Sequence, residues 1–119
     1  MKKIVFGAIT ALLMVACSSN TPKPAGNGEA DGKKFAKEIL AAYKADDVDK
    51  MEDVVDTYYE FYKDQDPKVI KQFFDSWLVE FHNMGSDPNL INDFEKFQRM
   101  TYQADKDNKL NDLYDEVMK

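Results

Sequence analysis

The chain has 119 residues, 44% of them hydrophobic, and 22 acidic residues outweigh 16 Lys and Arg to give a net charge of −6. This length allows one small domain. The acidic balance argues against a nucleic-acid partner, which would need a basic patch. With a single cysteine the chain has no internal disulfide, so its fold must depend on an apolar core.

Residues 1–16 show the order of charge and hydropathy that is typical of a secretory signal peptide. Lys2 and Lys3 give a positive start, an apolar run begins at Ile4, and the small residue Ala16 precedes a cleavage point. Such a run is shorter than the roughly 20 residues that cross a bilayer as a helix. We therefore expect these residues to be removed on export. The alternative is a buried N-terminal helix of the folded domain.

The segment Met14-Val15-Ala16-Cys17 resembles the lipobox of bacterial lipoproteins, with Met14 in place of the more usual Leu. The resemblance covers only about residues 1–20. It implies cleavage before Cys17, transfer of a diacylglyceryl group to the Cys17 sulfur, and acylation of the new amino group. Several acyl chains anchor a protein stably, whereas one chain binds only marginally. Lipidation would also remove the only thiol from metal, redox or catalytic chemistry.

The residues after Cys17 bear on localisation. In lipoproteins of the enteric type, an Asp directly after the cysteine retains the protein at the inner membrane, whereas this chain has Ser18. Residues 18–22 also lack the acidic residues with which some other bacteria direct lipoproteins to the cell surface. The resemblance therefore implies the periplasmic face of the outer membrane, in preference to the inner membrane or the cell surface.

A flexible tether is predicted for residues 17–29, which begin with the lipidated cysteine. From Ser18 to about Glu29 the chain is rich in Ser, Pro, Gly and Asn and has no periodic apolar residues. Such a composition is typical of a flexible linker. The folded domain is accordingly expected to occupy residues 30–119.

This domain is predicted to be all-α, a compact bundle of about five short antiparallel amphipathic helices. Apolar residues recur at helical spacing and alternating strand patterns are absent. Asp66-Pro67 and Asp87-Pro88 mark the starts of the third and fourth helices, because Asp caps free amides and Pro suits the first turn. The short connections indicate that consecutive helices are antiparallel. The expected helices run over about 31–45, 47–64, 67–84, 88–103 and 108–118.

The predicted core is rich in aromatic side chains. Its members are Phe35, Phe73, Phe74, Trp77, Phe81, Phe94 and Phe97. The second helix adds a cluster whose apolar arc is wider than a simple two-helix packing face requires, formed by Tyr58, Tyr59, Phe61 and Tyr62. Either all four belong to the core with hydroxyls reaching the surface, or part of the cluster lines a groove or partner surface. This cluster is the candidate binding surface.

The chain shows no residue pattern that predicts catalysis, a metal site or a cofactor. His82 is the only histidine and lies near the end of the third predicted helix, where the helix dipole favours a partly protonated imidazole. The acidic residues at 46–56 suit the start of the second helix for the same electrostatic reason. A calcium loop beginning at Asp105 would have Lys109 and Leu110 where an EF-hand needs an oxygen ligand and Gly. We therefore expect no enzymatic activity.

Two functional hypotheses follow from the anchor, the tether and the acidic helical domain. The first is a non-enzymatic, lipid-anchored envelope protein whose bundle binds a protein partner of unknown identity. The second is a helical lipoprotein that binds a small ligand in an apolar or sugar-stacking aromatic pocket. A fully packed core without a cavity near Trp77 or residues 58–62 would count against the second hypothesis.

Overall fold

The computed structural model describes residues 22–119, so the predicted signal peptide and the lipidation site at Cys17 lie outside the described residues. Within this range the chain forms helices and no strand, which confirms the predicted all-α class. A single 3-10 turn, Lys106–Asn108, precedes the last helix. The helices are α1 (Gly28–Lys44), α2 (Val48–Tyr62), α3 (Pro67–Gly85), α4 (Phe94–Ala104) and α5 (Lys109–Met118).

Short polar side chains cap the start of each of the first four helices. In every case a side-chain oxygen accepts a hydrogen bond from a backbone N–H in the first turn, at 2.9–3.1 Å. These bonds satisfy donors that have no partner within the helix. The capping residues are Asn27, Asp47, Asp66 and Asp93.

The fourth helix begins at Phe94, so its predicted start at Asp87-Pro88 is wrong. Asp87 accepts a hydrogen bond from the Asn89 N–H at 2.9 Å, but only a turn follows. The Tyr43 hydroxyl accepts a bond from the Asp93 N–H at 3.1 Å and donates one to the Asn92 side chain at 2.7 Å. These contacts join the segment before α4 to α1, and α4 begins only where Asp93 caps it.

Two hydrogen bonds show that α1 and α2 are antiparallel neighbours. The Tyr62 hydroxyl donates to Asp31 in the first half of α1, and the Tyr58 hydroxyl donates to Glu38 further along it at 3.0 Å. On either side of this pair, α3 packs against α1 and α4 packs against α2. The last helix, α5, contacts both α2 and α3.

Gly28 and Gly32 bring α1 and α3 into close contact. A Cβ atom at Gly28 would lie 2.6 Å from the carbonyl oxygen of Val69, and one at Gly32 would lie 2.7 Å from that of Phe73. Both distances are to backbone atoms, so rotation of a side chain could not relieve them. Across the same contact, the Ser76 hydroxyl donates to the carbonyl oxygen of Glu29 at 2.8 Å. The two helices are parallel, because Gly28 contacts α3 at Val69 whereas Gly32, later in α1, contacts it later, at Phe73 and Ser76.

Most of the predicted aromatic core is buried, with one correction. Phe94 is 37% exposed, because it lies at the first position of the shortened α4. Tyr58 and Tyr62 are instead fully buried and stack on the Phe73 ring, with centroid separations of 5.8 and 4.4 Å. Trp77 and Phe81 are partly buried against the same core.

The folded domain begins near Pro24, so the predicted tether is too long at its C-terminal end. Pro24 is buried, and the carboxylate of Asp31, which is 0% exposed, accepts hydrogen bonds from the N–H groups of Ala25 and Gly26 at 3.0 and 2.9 Å. Gly26 has a positive φ of 95°, and Asn27 caps α1. The Gly and Asn that suggested a flexible linker therefore build a turn and a helix cap.

The two buried tyrosines predict a loss of stability in alkaline solution. Burial is the main cause that raises the pKa of each phenol well above its usual value near 10. The next cause is the charge of Glu38 for Tyr58 and the hydrogen bond to Asp31 for Tyr62. Unfolded tyrosines release their protons near pH 10 while the folded ones retain them, so stability present below pH 10 is lost above it. Above pH 10, each of the two tyrosines should make the free energy of unfolding fall by about 1.4 kcal/mol for every further pH unit.

Urea denaturation at a series of pH values above 10 measures this slope. We expect Tyr58→Phe and Tyr62→Phe each to reduce it, and the double variant to reduce it further. Tyr102→Phe, a change at a phenol that is 75% exposed, is the matched control for the substitution itself. A slope that stays the same in both core variants would contradict the prediction.

Candidate functional site

A groove with a volume of about 420 Å³ opens between α3, α4 and α5, and is called the aromatic groove below. Its floor is formed by Phe35 and Ile39 of α1 and Val55 of α2. The wall on α3 is apolar and consists of Phe74, Trp77, Leu78 and Phe81. The opposite side is mixed and consists of Gln98, Thr101, Tyr102, Asp105, Asn108, Leu110, Asn111 and Tyr114.

The aromatic groove exists because α3 and α4 meet at one end and leave a gap further along. At the closed end, the Phe81 ring lies 5.6 Å from the rings of both Phe94 and Phe97. At the other end α5 fills the space, and its Tyr114 ring lies 5.4 Å from that of Phe74. Between these two contacts the core is open to the surface. The opening is bordered by α3, α4 and α5, whose positions are set by packing.

The side chains of the groove are chemically asymmetric. The α3 wall offers aromatic and aliphatic surface, whereas Gln98, Thr101, Asn108 and Asn111 place neutral polar groups on the other side. The Thr101 hydroxyl already donates to the carbonyl oxygen of Gln98 at 2.7 Å. Mainly apolar walls with a few polar groups are typical of sites for small molecules.

Two large apolar side chains at the rim extend this surface outward. Leu78 on α3 is 40% exposed and Tyr102 on α4 is 75% exposed. Isolated exposed apolar residues are common on proteins and need no explanation. Here both border the same groove, so they enlarge one apolar surface rather than forming separate patches.

Asp105 is the only acidic or basic residue among the described residues that line the groove. Its two carboxylate oxygens accept hydrogen bonds from the N–H groups of Leu110 and Asn111, at 2.9 and 3.1 Å. The chain between them passes through Asp107 and Asn108, both with positive φ (62° and 57°). The carboxylate thus holds a left-handed turn together and positions the start of α5 beside the groove.

The nearest lysines of this turn are directed to α2. Lys106 Nζ lies 3.0 Å from a carboxylate oxygen of Glu52, and Lys109 Nζ lies 2.7 Å from one of Asp56. The hydrogen bonds to these carboxylates raise the pKa of both lysines. Their charges are therefore neutralised on the α2 side, and neither lysine lines the groove.

The structure divides the aromatic cluster that the sequence singled out. Tyr58 and Tyr62 are 0% exposed and belong to the core, with hydroxyls that reach carboxylates of α1. Tyr59 and Phe61 are half-buried, and the Tyr59 ring lies 5.2 Å from Lys109 Nζ. None of the four lines the aromatic groove. A binding surface here stays a prediction for Tyr59 and Phe61 alone.

Sequence reasoning did not locate the groove, although one signal pointed towards it. Trp77 and Phe81 were predicted to belong to the aromatic core, but both are only partly buried and line the groove. The polar side could not be anticipated, because it is assembled from the end of α4 and a turn with left-handed residues. The segment considered as a calcium loop forms that turn.

Within the described residues, neither a metal site nor a membrane span is indicated. Between residues 22 and 119 no group of three or more His, Cys, Asp or Glu side chains is placed to hold a metal ion. His82 is exposed, and its carbonyl oxygen accepts a hydrogen bond from the Ser86 hydroxyl at 2.9 Å. None of the helices in this range combines the length and hydropathy that crossing a bilayer requires.

Comparison with known proteins gave no match: no family model fits the chain, and no curated protein or solved structure is significantly similar to it. The case for a function therefore rests on the residues and geometry of this chain.

Proposed function

We propose that the mature chain is a lipid-anchored, non-enzymatic protein of the bacterial cell envelope whose domain binds a small, mainly apolar ligand. The observation that carries this proposal is the aromatic groove of about 420 Å³. Ligand pockets commonly have volumes of about 300–1,000 Å³ and are lined mostly by apolar side chains with a few polar groups. Trp77 lies on one wall of the groove, where the second of the two sequence hypotheses would need a cavity.

The hydrophobic effect would supply most of the affinity. The groove leaves apolar surface of α3 in contact with water, and a ligand that covers it releases that water. Each buried methylene group contributes about 0.8 kcal/mol. The amide and hydroxyl groups of Gln98, Thr101, Asn108 and Asn111 would then orient the polar part of the ligand.

Protein interaction is the second candidate function, and the exposed rim favours it. Leu78 and Tyr102 continue the apolar surface beyond the groove. A partner could insert one apolar side chain into the groove and cover the rim with its neighbours, as in interfaces where a few buried anchors dominate binding. In that case small probes would compete with the partner for the same site.

The proposed anchor would lie closer to the domain than composition alone indicated. Residues 18–23 separate Cys17 from the folded domain, which begins at Pro24. An extended chain covers at most about 3.3–3.6 Å per residue, so Pro24 would lie within about 25 Å of the lipidated sulfur. The groove would then operate near the membrane surface, which we propose to be the periplasmic face of the outer membrane.

Removal of the proposed lipidation site is expected to release the chain from the membrane. Cys17→Ser should abolish incorporation of labelled palmitate and remove the protein from the membrane fraction, because Cys17 is the only cysteine. Ser18→Asp is the matched control: it should retain the label and, in an enteric host, move the protein to the inner membrane. Label incorporated by the Cys17→Ser chain would contradict the anchor.

Ligand binding is expected to change the fluorescence of Trp77, the only tryptophan. Phenylbutanol, an uncharged apolar probe, should shift its emission in a saturable way. Thr101→Phe places a ring in the groove and should weaken this binding at least about tenfold, a loss of about 1.4 kcal/mol. Thr57→Phe makes the same change on α2 outside the groove and should bind normally. The absence of saturable binding in the unmodified chain would contradict the proposal.

A further inference from the structure

We infer that the aromatic groove selects a cationic amphiphile, an apolar or aromatic body with an ammonium group, over neutral or anionic molecules of the same shape. The inference rests on the proposed ligand-binding function and adds the charge of the ligand to it. Three observations support this sign: the charge in the lining, the ion pairs of the neighbouring lysines, and the aromatic residues of the lining.

The first observation is that the lining holds one carboxylate, Asp105, and no Lys or Arg among the described residues. Each Asp105 oxygen accepts one backbone hydrogen bond. A carboxylate oxygen has a second lone pair, so each can accept a further bond from a ligand. The hydrogen bonds fix the carboxylate in place, and an ammonium group is a donor of the right charge for it.

The second observation concerns Lys106 and Lys109, the two cations nearest to Asp105 in the chain. Both form ion pairs with α2, to Glu52 at 3.0 Å and to Asp56 at 2.7 Å. They therefore do not neutralise Asp105 within the groove. An anionic head group would meet no cation in the lining and would be repelled by Asp105.

The third observation is that aromatic side chains line the same groove as this carboxylate. Trp77, Phe81, Tyr102 and Tyr114 line the groove. The face of an aromatic ring attracts a cation within about 6 Å of its centroid, and this attraction does not extend to a hydroxyl or a carboxylate. Without Lys2 and Lys3 the mature chain has 14 Lys and Arg against 22 acidic residues, a net charge of −8 that also attracts cations at long range.

The test compares three probes that share a phenylbutyl body and carry an ammonium, a hydroxyl or a carboxylate group. The mature lipidated chain is used in nanodiscs of phosphatidylcholine, with empty nanodiscs to correct for partition. Trp77 emission is excited where tyrosine does not absorb. We expect the ammonium probe to bind about fivefold to tenfold more tightly than the alcohol at low ionic strength, and the carboxylate to bind most weakly. Added salt should reduce the difference.

Substitutions at Asn111 change the charge of the lining while leaving the cap of α5 intact, because Asp105 bonds to the backbone of Asn111 and not to its side chain. Asn111→Asp should increase the preference for ammonium over alcohol severalfold, and Asn111→Lys should remove or reverse it. Asn111 is exposed in the first turn of α5, so both variants should fold. The affinity of each variant for the alcohol is the reference against which its preference for ammonium is measured.

The outcomes separate this inference from the function on which it rests. One outcome is that the alcohol binds and that Thr101→Phe blocks this binding. If the three probes then have equal affinities, or if the carboxylate binds most tightly, the groove binds ligands and the inference is wrong. If no probe binds the unmodified chain, both are wrong. A preference for ammonium that follows the charge at residue 111 supports both.

Discussion

Replacing Asp31 with alanine is expected to lower the free energy of unfolding by about 3–5 kcal/mol, which is a large fraction of the stability of a small domain. Asp31 is fully buried and accepts hydrogen bonds from the N–H groups of Ala25 and Gly26 and from the Tyr62 hydroxyl. The substitution leaves the Tyr62 hydroxyl buried without its acceptor and releases residues 24–27 from the domain. Hydrogen bonds to a charged group contribute about 1.5–3 kcal/mol each.

Urea denaturation measures the loss, and hydrogen exchange of the Ala25 and Gly26 amides shows whether the N-terminal segment has detached. Glu29→Ala is the matched control, because Glu29 is also an acidic residue in the first turn of α1 but its side chain is exposed. It should cost less than about 0.5 kcal/mol. An Asp31→Ala chain with unchanged stability and protected amides would show that this cluster does not hold the segment.

The helical class and the first three helices could be predicted because their signals are local. The apolar spacing of α1 and the caps Asp47 and Asp66 lie within a few residues of the elements they define. The start of α4 could not be predicted in this way. Asp87-Pro88 carries the same local signal as Asp66-Pro67, but the helix begins only after Asp93, whose N–H donates to the hydroxyl of Tyr43, fifty residues earlier in the chain.

The N-terminal boundary was missed for a related reason. Ser, Pro, Gly and Asn are common both in linkers and in turns that cap helices, so composition does not distinguish the two. What distinguishes them here is Asp31, whose carboxylate oxygens accept hydrogen bonds from the backbone N–H groups of Ala25 and Gly26. A polar residue at a fully buried position is the informative feature, and its burial depends on contacts that the sequence does not display.

The candidate site was the least predictable part of the molecule. Tyr58 and Tyr62 were considered for a surface because they widen an apolar arc, yet they fill the space between α1 and α3. The aromatic groove lies elsewhere because it depends on how α3 and α4 diverge from the Phe81 contact. Helix periodicity identifies which residues share a face, but the space left between two faces depends on the packing of all five helices.

Substitution of Gly32 by alanine is expected to lower the free energy of unfolding by about 2 kcal/mol, although alanine is the better helix former by about 1 kcal/mol. The new Cβ would lie 2.6 Å from the Cβ of Ser76 and 2.7 Å from the carbonyl oxygen of Phe73. Neither atom can move without moving α3, so the two helices must separate. Urea denaturation of the variant measures the cost.

Gly85→Ala is the matched control for this change. Gly85 is also helical, but the three atoms nearest to a Cβ there all belong to the ring of Phe94, a side chain that is 37% exposed and can rotate. We expect a change within about 0.5 kcal/mol, with stabilisation favoured by the helix propensity of alanine. If Gly32→Ala were equally well tolerated, the close approach of α1 and α3 would not contribute to stability.

The same variant connects the packing of the fold to the proposed site. Phe35 on α1 forms the floor of the aromatic groove, and its ring lies 4.8 Å from that of Trp77 on α3. Moving α3 away from α1 displaces a wall of the groove relative to its floor, because both contacts belong to the same pair of helices. Gly32→Ala chains that remain folded should therefore bind phenylbutanol more weakly than Gly85→Ala chains, although neither glycine lines the groove.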